Sequence, residues 1–354
     1  MRSLKKLELY GCESLEEFSV SPKISEIPND VMICLLSLKY LILSFTNIQS
    51  IPASIKNISH LRSLDVRHCE RLESLPQLPS SLRQLDASGC TQLETITSFS
   101  LGMITPYWKE YTNNGKYNSC IEKLLFSHCT KLDQKTLKNI EVEAKLSVHR
   151  VAYLYSRKIL EGVIFKGSDH PEAQICFPGS EIPEWFRYSR AGSSITIEFH
   201  PALLNNPNFL GFTLCSVTTG CVLVQCKFSF GEHLVQTEYC RDASCADCSN
   251  SNDQVWMSYQ RGFNSQLVEK LKESFILGTI SQLVMITFRF EPHTCIKENG
   301  VSMVCATCSK KNGASRVRVQ DQDCLPQGIG TKRRRAESGQ SKSEICMIDK
   351  EEWW

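Results

Sequence analysis

Leucine recurs in a fixed frame along the first third of the chain. Leu38, Leu41 and Leu43, then Leu61, Leu64 and Val66, then Leu82, Leu85 and Ala87 repeat one spacing with polar residues between, and Leu4, Leu7 and Leu9 show it once more. The triplets run on into "YGC", "SFTNIQSIP", "RHCERLESLP" and "SGCTQLETI", so the frame is L-x-x-L-x-L-x-x-C/T. Alternation within each triplet predicts a short strand whose leucines point inward and whose neighbours point outward. The last two intervals are 23 and 21 residues, and the first is 34, which predicts a degenerate unit around "KISEIP" or an insertion.

Periods of this length belong to leucine-rich repeats, stacked units that bury one continuous core. Proline in "SIPASI" and "SLPQLP" predicts an extended return path rather than a helix. Residue 4 is already a frame leucine. Since the end of such a stack leaves apolar surface open, the chain reads as the C-terminal part of something longer, or as one that depends on a partner. The outward positions form a ladder: Lys5, Lys6 and Glu8; Lys39, Tyr40 and Ile42; Arg62, Ser63 and Asp65; Arg83, Gln84 and Asp86. Basic residues lie on one side of it and acidic residues on the other. Concave faces of this kind bind proteins, and the plain alternative is a solvated face. Lys39, Tyr40, Arg62, Arg83 and Asp86 are the candidates for binding. Tyr40 supplies aromatic area, and the arginines can pair with carboxylates.

After Ile96 the frame fades, and it returns faintly at Leu124–Cys129. Leu137, Ile140, Ala144, Val148 and Ala152 then have helical spacing, with Asp133 placed to cap the helix, and this segment is expected to close the end of the stack. From residue 174 the texture changes to short alternating stretches divided by turns, such as "SSITIEFH", "FLGFTLCSVTTG", "CVLVQCKFSF", "DQVWMSYQ" and "SQLVMITFRFEP". These predict an all-β sandwich.

Composition narrows the field. Of 354 residues, 42% are hydrophobic and the net charge is +2, so no general electrostatic case for nucleic acid exists. The N-terminal segment does not read as a signal peptide, and no apolar run is long enough to span a membrane. The 18 cysteines are read as mostly reduced, buried, small hydrophobes.

"ICFPGSEIPEWF", "GSSITIEF", "NNPNFLGFTLCSV" and "VWMSY" resemble the β-sandwich domain that follows the repeats in plant TIR–nucleotide-binding–leucine-rich-repeat (TNL) immune receptors, the C-terminal jelly-roll/Ig-like domain, or C-JID. "SLPQLPSSLRQLDASGCTQLETI" is similar to the last repeat of those receptors, and "LLFSHCTKLDQ" to the linker after it, with His128-Cys129 where the family has Asn-Cys. The resemblance covers about residues 1–309. It implies an α/β leucine-rich-repeat solenoid followed by an all-β jelly-roll/Ig-like sandwich. The expected boundaries are 1–132 for the repeats, 133–170 for a helical cap or linker, 171–309 for the sandwich and 310–354 for a basic, disordered tail. Pro178, Gly179, Ile182, Pro183, Trp185 and Phe186 match the family signature. They are read as a turn and core plug, with an exposed Trp185–Phe186 recognition pair as the alternative. The family's NAD-cleaving and nucleotide-switching modules have no counterpart here, as no G-x-x-x-x-G-K-[ST] occurs.

Other chemistry is thin. Cys245 and Cys248, with Cys305 and Cys308, offer two C-x-x-C pairs that would make a zinc site if they met, but the preferred expectation is no metal and no cofactor. The histidines, and the pair Glu181 and Glu184, form no catalytic pattern. Lys332, Arg333, Arg334 and Arg335 are a candidate nuclear-import run. The expected function is non-catalytic recognition of a pathogen effector protein. The nucleotide-binding and TIR regions of a receptor, in cis or in trans, are further partners, and neither a membrane nor a specific nucleic acid is expected. The location is cytoplasmic, with the nucleus second. The competing function is a structural or regulatory fragment, decoy or adaptor that packs on a full-length receptor. An enzyme ranks below both.

Overall fold

The computed structural model describes residues 17–19, 27, 37–97, 121–160, 172–199, 203, 209–219, 225–230, 233–237, 252–260, 284–291, 296–305, 307–311 and 314–318. The repeat half contains β1 (Glu17–Ser19), β2 (Tyr40–Ile42), a 3-10 turn (Ala53–Asn57), β3 (Ser63–Asp65), β4 (Ser74–Leu75), β5 (Gln84–Asp86), β6 (Thr95–Ile96) and β7 (Ile121–Leu125). A helix follows, α1 (Gln134–Leu160). The second half comprises β8 (Glu172–Pro178), β9 (Tyr188–Ala191), β10 (Ser194–Phe199), β11 (Phe209–Thr219), β12 (Gln225–Phe230), β13 (His233–Thr237), β14 (Asp253–Gln260), β15 (Val284–Glu291) and β16 (Ile296–Cys305), then the hairpin β17 (Thr307–Lys311) and β18 (Ala314–Arg318).

The frame leucines stack because their strands pair in parallel and in register. Leu41 lies opposite Leu64, Leu64 opposite Leu85, and Leu85 opposite Leu124. All four are fully buried, each worth roughly 1.5–3 kcal/mol in transfer terms. The residues on either side of each central leucine face outward, giving an intermediate–buried–intermediate pattern in β2, β3 and β5. The unit that fills the long first interval has its strand at β1, where Phe18 pairs with Leu41, ahead of "KISEIP" rather than within it. Pro52 starts the 3-10 turn on one return path, so "SIPASI" is not wholly extended, whereas β4 and β6 on later return paths pair in parallel. The faint frame at Leu124–Cys129 is a full member of the ladder through β7.

The ladder does not stop at β7. Strand β8 pairs with it in parallel and carries the row onward: Leu124 faces Ile175, Ile175 faces Met257, Met257 faces Cys215, and Cys215 faces Gly300. One ten-stranded sheet therefore runs β1-β2-β3-β5-β7-β8-β14-β11-β16-β9, parallel up to β8 and antiparallel beyond it. The expected arrangement, a repeat stack packed against a separate sandwich, is replaced by a single sheet crossing from one half to the other. Parallel strands cannot be joined by a tight turn, and α1 is the required crossover between β7 and β8. It is not an end-cap: Ile140, Ala144, Val148, Val151 and Ala152 form an apolar stripe in the same core as the repeat leucines and Ala173, Ile175, Val255 and Met257. Asp133 caps the helix, its Oδ1 accepting the Thr136 N–H at 2.6 Å.

The opposite face of the second half has its own core. Strands β10-β15-β12-β13 make a four-stranded antiparallel sheet. Phe199 and Phe288 of that sheet meet Phe212 of β11 edge-on, with ring centroids 5.8 and 5.6 Å apart. Here α1, the large sheet and the small sheet form three successive layers. The described residues are mostly sheet, with one helix.

Candidate functional site

The repeat geometry sorts the candidate residues into columns. Lys39, Arg62 and Arg83 stand one residue before β2, β3 and β5. Backbone bonds stack them: Arg62 N–H donates to Lys39 O, and Arg83 N–H donates to Arg62 O, both at 2.8 Å. All three are half-buried rather than fully in water. The next column, on the outward face, runs Tyr40, Ser63, Gln84, Lys123 and Gln174. The third runs Ile42, Asp65, Asp86, Leu125 and Cys176. Asp86 thus belongs with Asp65, and Arg67 ties the two together. The Arg67 guanidinium bonds Asp65 Oδ2 at 2.6 Å and lies 3.7 Å from Asp86 Oδ2. Arg67 was not among the sequence candidates, although its spacing two residues beyond Asp65 was available as a signal. Lys5, Lys6 and Glu8 lie outside the described residues.

Past the ends of β2, β3, β5 and β7 the chain turns through a left-handed residue: Phe45, His68, Gly89 and His128 have φ of 62°, 53°, 77° and 63°. Their N–H groups donate along the stack, from Phe45 to Arg67 O, His68 to Ser88 O and Gly89 to Ser127 O. The last, on His128, reaches Gln254 Oε1 of β14 at 3.4 Å, so a side chain from the second half supplies the acceptor that a further repeat would provide. Gly89 is needed twice over, because a Cβ there would lie 2.5 Å from His68 Nδ1.

Beneath these turns sits the Cys/Thr position of the frame. Cys69 donates to Leu43 O, Cys90 to Val66 O and Cys129 to Ala87 O, at 3.0–3.1 Å. The thiols are therefore inter-repeat hydrogen-bond donors and not only small hydrophobes. Burial pushes all three up from the usual thiol range, which keeps them protonated and unreactive.

The two outward columns continue across the joint. Cys176 pairs with Trp256, Trp256 with Ser216, and Ser216 with Asn299. Burial increases along the way, from half-buried Asp65 and Asp86 to buried Leu125, Cys176 and Trp256. The small sheet lies against this same face, through Phe212. Among the described residues the result is a floor that is half-buried over the repeats and closed at its far end by a wall. Lys123, Gln174 and Glu172 sit at the transition. Gln174 Nε2 donates to Glu172 Oε2 at 3.1 Å, and burial raises the Glu172 carboxyl above the ordinary range.

A buried ionic cluster holds the joint from behind. Arg150 of α1 bonds Glu122 of β7 at 3.1 Å and Glu143 at 2.7 Å, and Ser147 donates to Glu122. Burial opposes the charge on Arg150, but the two carboxylates outweigh it and raise the guanidinium further. Nearby on the helix, burial pushes His149 down to about 3, so its imidazole stays neutral.

The signature residues gather at the other end of the α1 face. Gly179 follows β8, its N–H bonding Asp253 O at 3.1 Å. Ile182, half-buried, and Phe186, buried, press on Gly300, where a Cβ would lie 2.8 Å from Ile182 Cγ2 and 3.2 Å from Phe186 Cδ1. Pro178 is half-buried and ends β8, whereas Pro183 is buried. Trp185 is half-buried against Phe186, with ring centroids 4.2 Å apart, and Lys145 of α1 lies 5.6 Å from its ring. Glu181 and Glu184 are exposed. Burial and the neighbouring Glu184 raise Glu141 of α1.

Among the described residues no group of three or more His, Cys, Asp or Glu is arranged to hold a metal. Cys305 ends β16 and Cys308 lies in β17, while Cys245, Cys248 and the run Lys332, Arg333, Arg334 and Arg335 lie outside the described residues. No described helix is long and apolar enough to cross a membrane.

Comparison with known proteins agrees with this geometry. Residues 177–309 match the C-JID domain, and residues 21–104 match the leucine-rich repeats described as "Disease resistance protein RPS4B-like". Similar proteins, all from Arabidopsis thaliana, include Disease resistance protein RPP2B, 30% identical over 67% of this chain and 20% of its own length. Disease resistance-like protein DSC1 is 30% identical over 59% of this chain and 16% of its own length. Disease resistance protein RPS4B is 27% identical over 64% of this chain and 19% of its own length. The chain thus spans about a fifth or less of these relatives.

Proposed function

This chain is the C-terminal leucine-rich-repeat and C-JID region of a TNL disease resistance protein, and on that premise we propose that it recognises a pathogen effector protein without catalysing a reaction. One observation carries the reading. The outward columns of the repeats run without a break into the C-JID sheet and end against a second sheet. A few repeat strands alone offer a narrow strip, and a stable interface needs about 800 Å² per partner. The continuous floor, together with its wall, supplies the missing area. Its charge pattern suits a protein, because the column of Lys39, Arg62 and Arg83 lies three residues from Asp65 and Asp86, which deters a uniformly anionic ligand.

In this reading the repeats are a solenoid and the two facing sheets a jelly-roll/Ig-like sandwich, with working boundaries at 132, 170 and 309. Lys39, Arg62 and Arg83 receive partner carboxylates, and Tyr40 contributes aromatic contact. The signature residues Pro178 to Phe186 act as a plug over Gly300. The receptor's remaining regions are the other partners. It works in the cytoplasm and enters the nucleus through residues 332–335. The deciding experiment pairs thermal melting with affinity for a cognate effector in the Arg62→Glu/Arg83→Glu variant. A protein that melts near the parent value but binds at least about tenfold more weakly supports the proposal. Unchanged affinity overturns the role of that column and moves recognition to the C-JID loops.

A further inference from the structure

We propose that Lys123, Glu172 and Gln174, at the corner where the floor meets the wall, clamp the side-chain amide of an asparagine or glutamine on the partner protein. The inference rests on reading the outward face as a protein-binding surface and adds the partner's chemistry at that corner.

Register places the group on one face. Lys123 of β7, Gln174 of β8 and Ser258 of β14 lie side by side in one row. Glu172, two residues from Gln174 on the same strand, shares that face. Lys123, Glu172 and Gln174 are half-buried, so the group is neither sealed in nor freely hydrated. Among the described residues the Glu172 carboxylate accepts one hydrogen bond, from Gln174 Nε2 to Oε2 at 3.1 Å. Burial outweighs that bond and the attraction of Lys123, so the carboxyl stays above the ordinary range. A carboxylate held in this way is short of donors. Across from Gln174, Ser258 is 8% exposed, and among the described residues its buried hydroxyl has no hydrogen-bond partner. The corner therefore has more polar capacity than the described chain fills.

The arrangement of charge identifies the occupant. Lys123 and Glu172 stand on neighbouring strands, displaced by two residues, which sets their Cα atoms about 8 Å apart at ordinary strand rise and spacing. Lys123 attracts the carboxylate without closing an ion pair on it among the described residues. A cation brought to Glu172 would meet Lys123, and an anion brought to Lys123 would meet Glu172. A primary amide gains from both: its N–H donates to the carboxylate and its C=O accepts from the ammonium. Bonds of this kind, with one partner charged, are stronger than those between neutral groups. Gln174, whose Nε2 serves Glu172, offers Oε1 to the amide's second N–H. The corner ends the column of Tyr40, Ser63 and Gln84, so a partner seated over the repeats reaches it.

Two measurements on the full chain test this. The first is thermal melting of Glu172→Leu and Lys123→Met. Variants that melt within about 4 °C of the parent, or above it, show that the two charges are not holding the fold. A larger fall in either shows that they are, and overturns the proposal. The second selects displayed random short peptides on the parent protein and then measures the enriched peptides by fluorescence anisotropy. The expected peptides share an asparagine or glutamine, and changing that residue to aspartate, lysine or leucine weakens binding at least about tenfold. The unchanged peptides should also bind at least about tenfold more weakly to Glu172→Leu and to Lys123→Met. Peptides that depend on a charged residue instead, binding indifferent to Glu172 and Lys123, or no enrichment would overturn it. If effector binding is still lost in Arg62→Glu/Arg83→Glu under those outcomes, the recognition function stands and only this corner is wrong.

Discussion

Cys90 illustrates how a single repeated position carries two tasks. Its side chain fills the core and its S–H bonds Val66 O of the preceding repeat at 3.0 Å. Cys69 and Cys129 do the same, and Cys215 is buried in the sheet of the second half. Burial raises all four thiols above the ordinary value near 9.0. The sign of the resulting pH dependence follows. Below that value both the folded and the unfolded chain keep the protons, and the contribution is constant. Above it the unfolded chain releases protons that the folded chain retains, so stability falls as pH rises. The melting temperature should therefore decline above about pH 9, and less steeply in Cys90→Ala and Cys129→Ala. Equal slopes in parent and variants would show that the thiols do not govern the decline. The frame made these cysteines visible as buried positions. Their donor role was not visible, because the accepting carbonyl belongs to another repeat.

At the scale of elements, α1 is decided by its contacts more than by its own sequence. The apolar spacing from Ile140 to Ala152 and the Asp133 cap are local features, and both are legible. The polar residues Glu122, Glu143, Ser147 and Arg150 read as surface by type, yet all are buried. They are tolerable only together, since an isolated buried charge costs several kcal/mol. Arg150→Ala should leave two carboxylates facing each other and destabilise the protein by about 3–5 kcal/mol. Replacing Glu122, Glu143 and Arg150 together with apolar residues of similar volume should cost much less. Chemical denaturation of the two variants gives the comparison. If the single variant costs no more than the triple, the cluster does not act as a coupled unit.

Among the described residues, a ten-stranded sheet and, on its α1 side, a core that extends from Leu38 to Val304 link the two halves. Neither half has a complete boundary of its own at the joint: β7 and β8 share backbone bonds, α1 covers strands from both sides, and Gln254 completes the repeat turns. The repeat and C-JID halves should therefore unfold in a single calorimetric transition, with equal van't Hoff and calorimetric enthalpies. Two resolved transitions would mean that the joint is weaker than its pairing implies. A common unfolding unit also keeps Arg62, Arg83 and the C-JID wall at a fixed distance, which is what a surface divided between two domains requires.

The sequence by itself determined which apolar positions of the repeat strands and of the helix point inward. The leucine frame placed β2, β3 and β5 with their buried centres, alternation marked β10, and residues 133–152 announced a capped helix, whereas β11 is buried on both faces. These are readings of period, and period depends only on the geometry of the local backbone. The C-JID resemblance rested on motifs of the same local kind. Tertiary structure alone decided what lay beside what. Any strand edge offers the same row of N–H and C=O groups, so nothing in "IEKLL" specifies that its far neighbour is "EAQICFP" and not another repeat. That pairing turned an expected end-cap into a crossover and an expected contact between two domains into a shared sheet. It also placed Gln254 at His128, 126 residues away in the chain. The exposed Phe45 is the reverse case: its position in the frame was plain, but its left-handed φ and its stacking on His68 exist only once successive repeats are laid side by side.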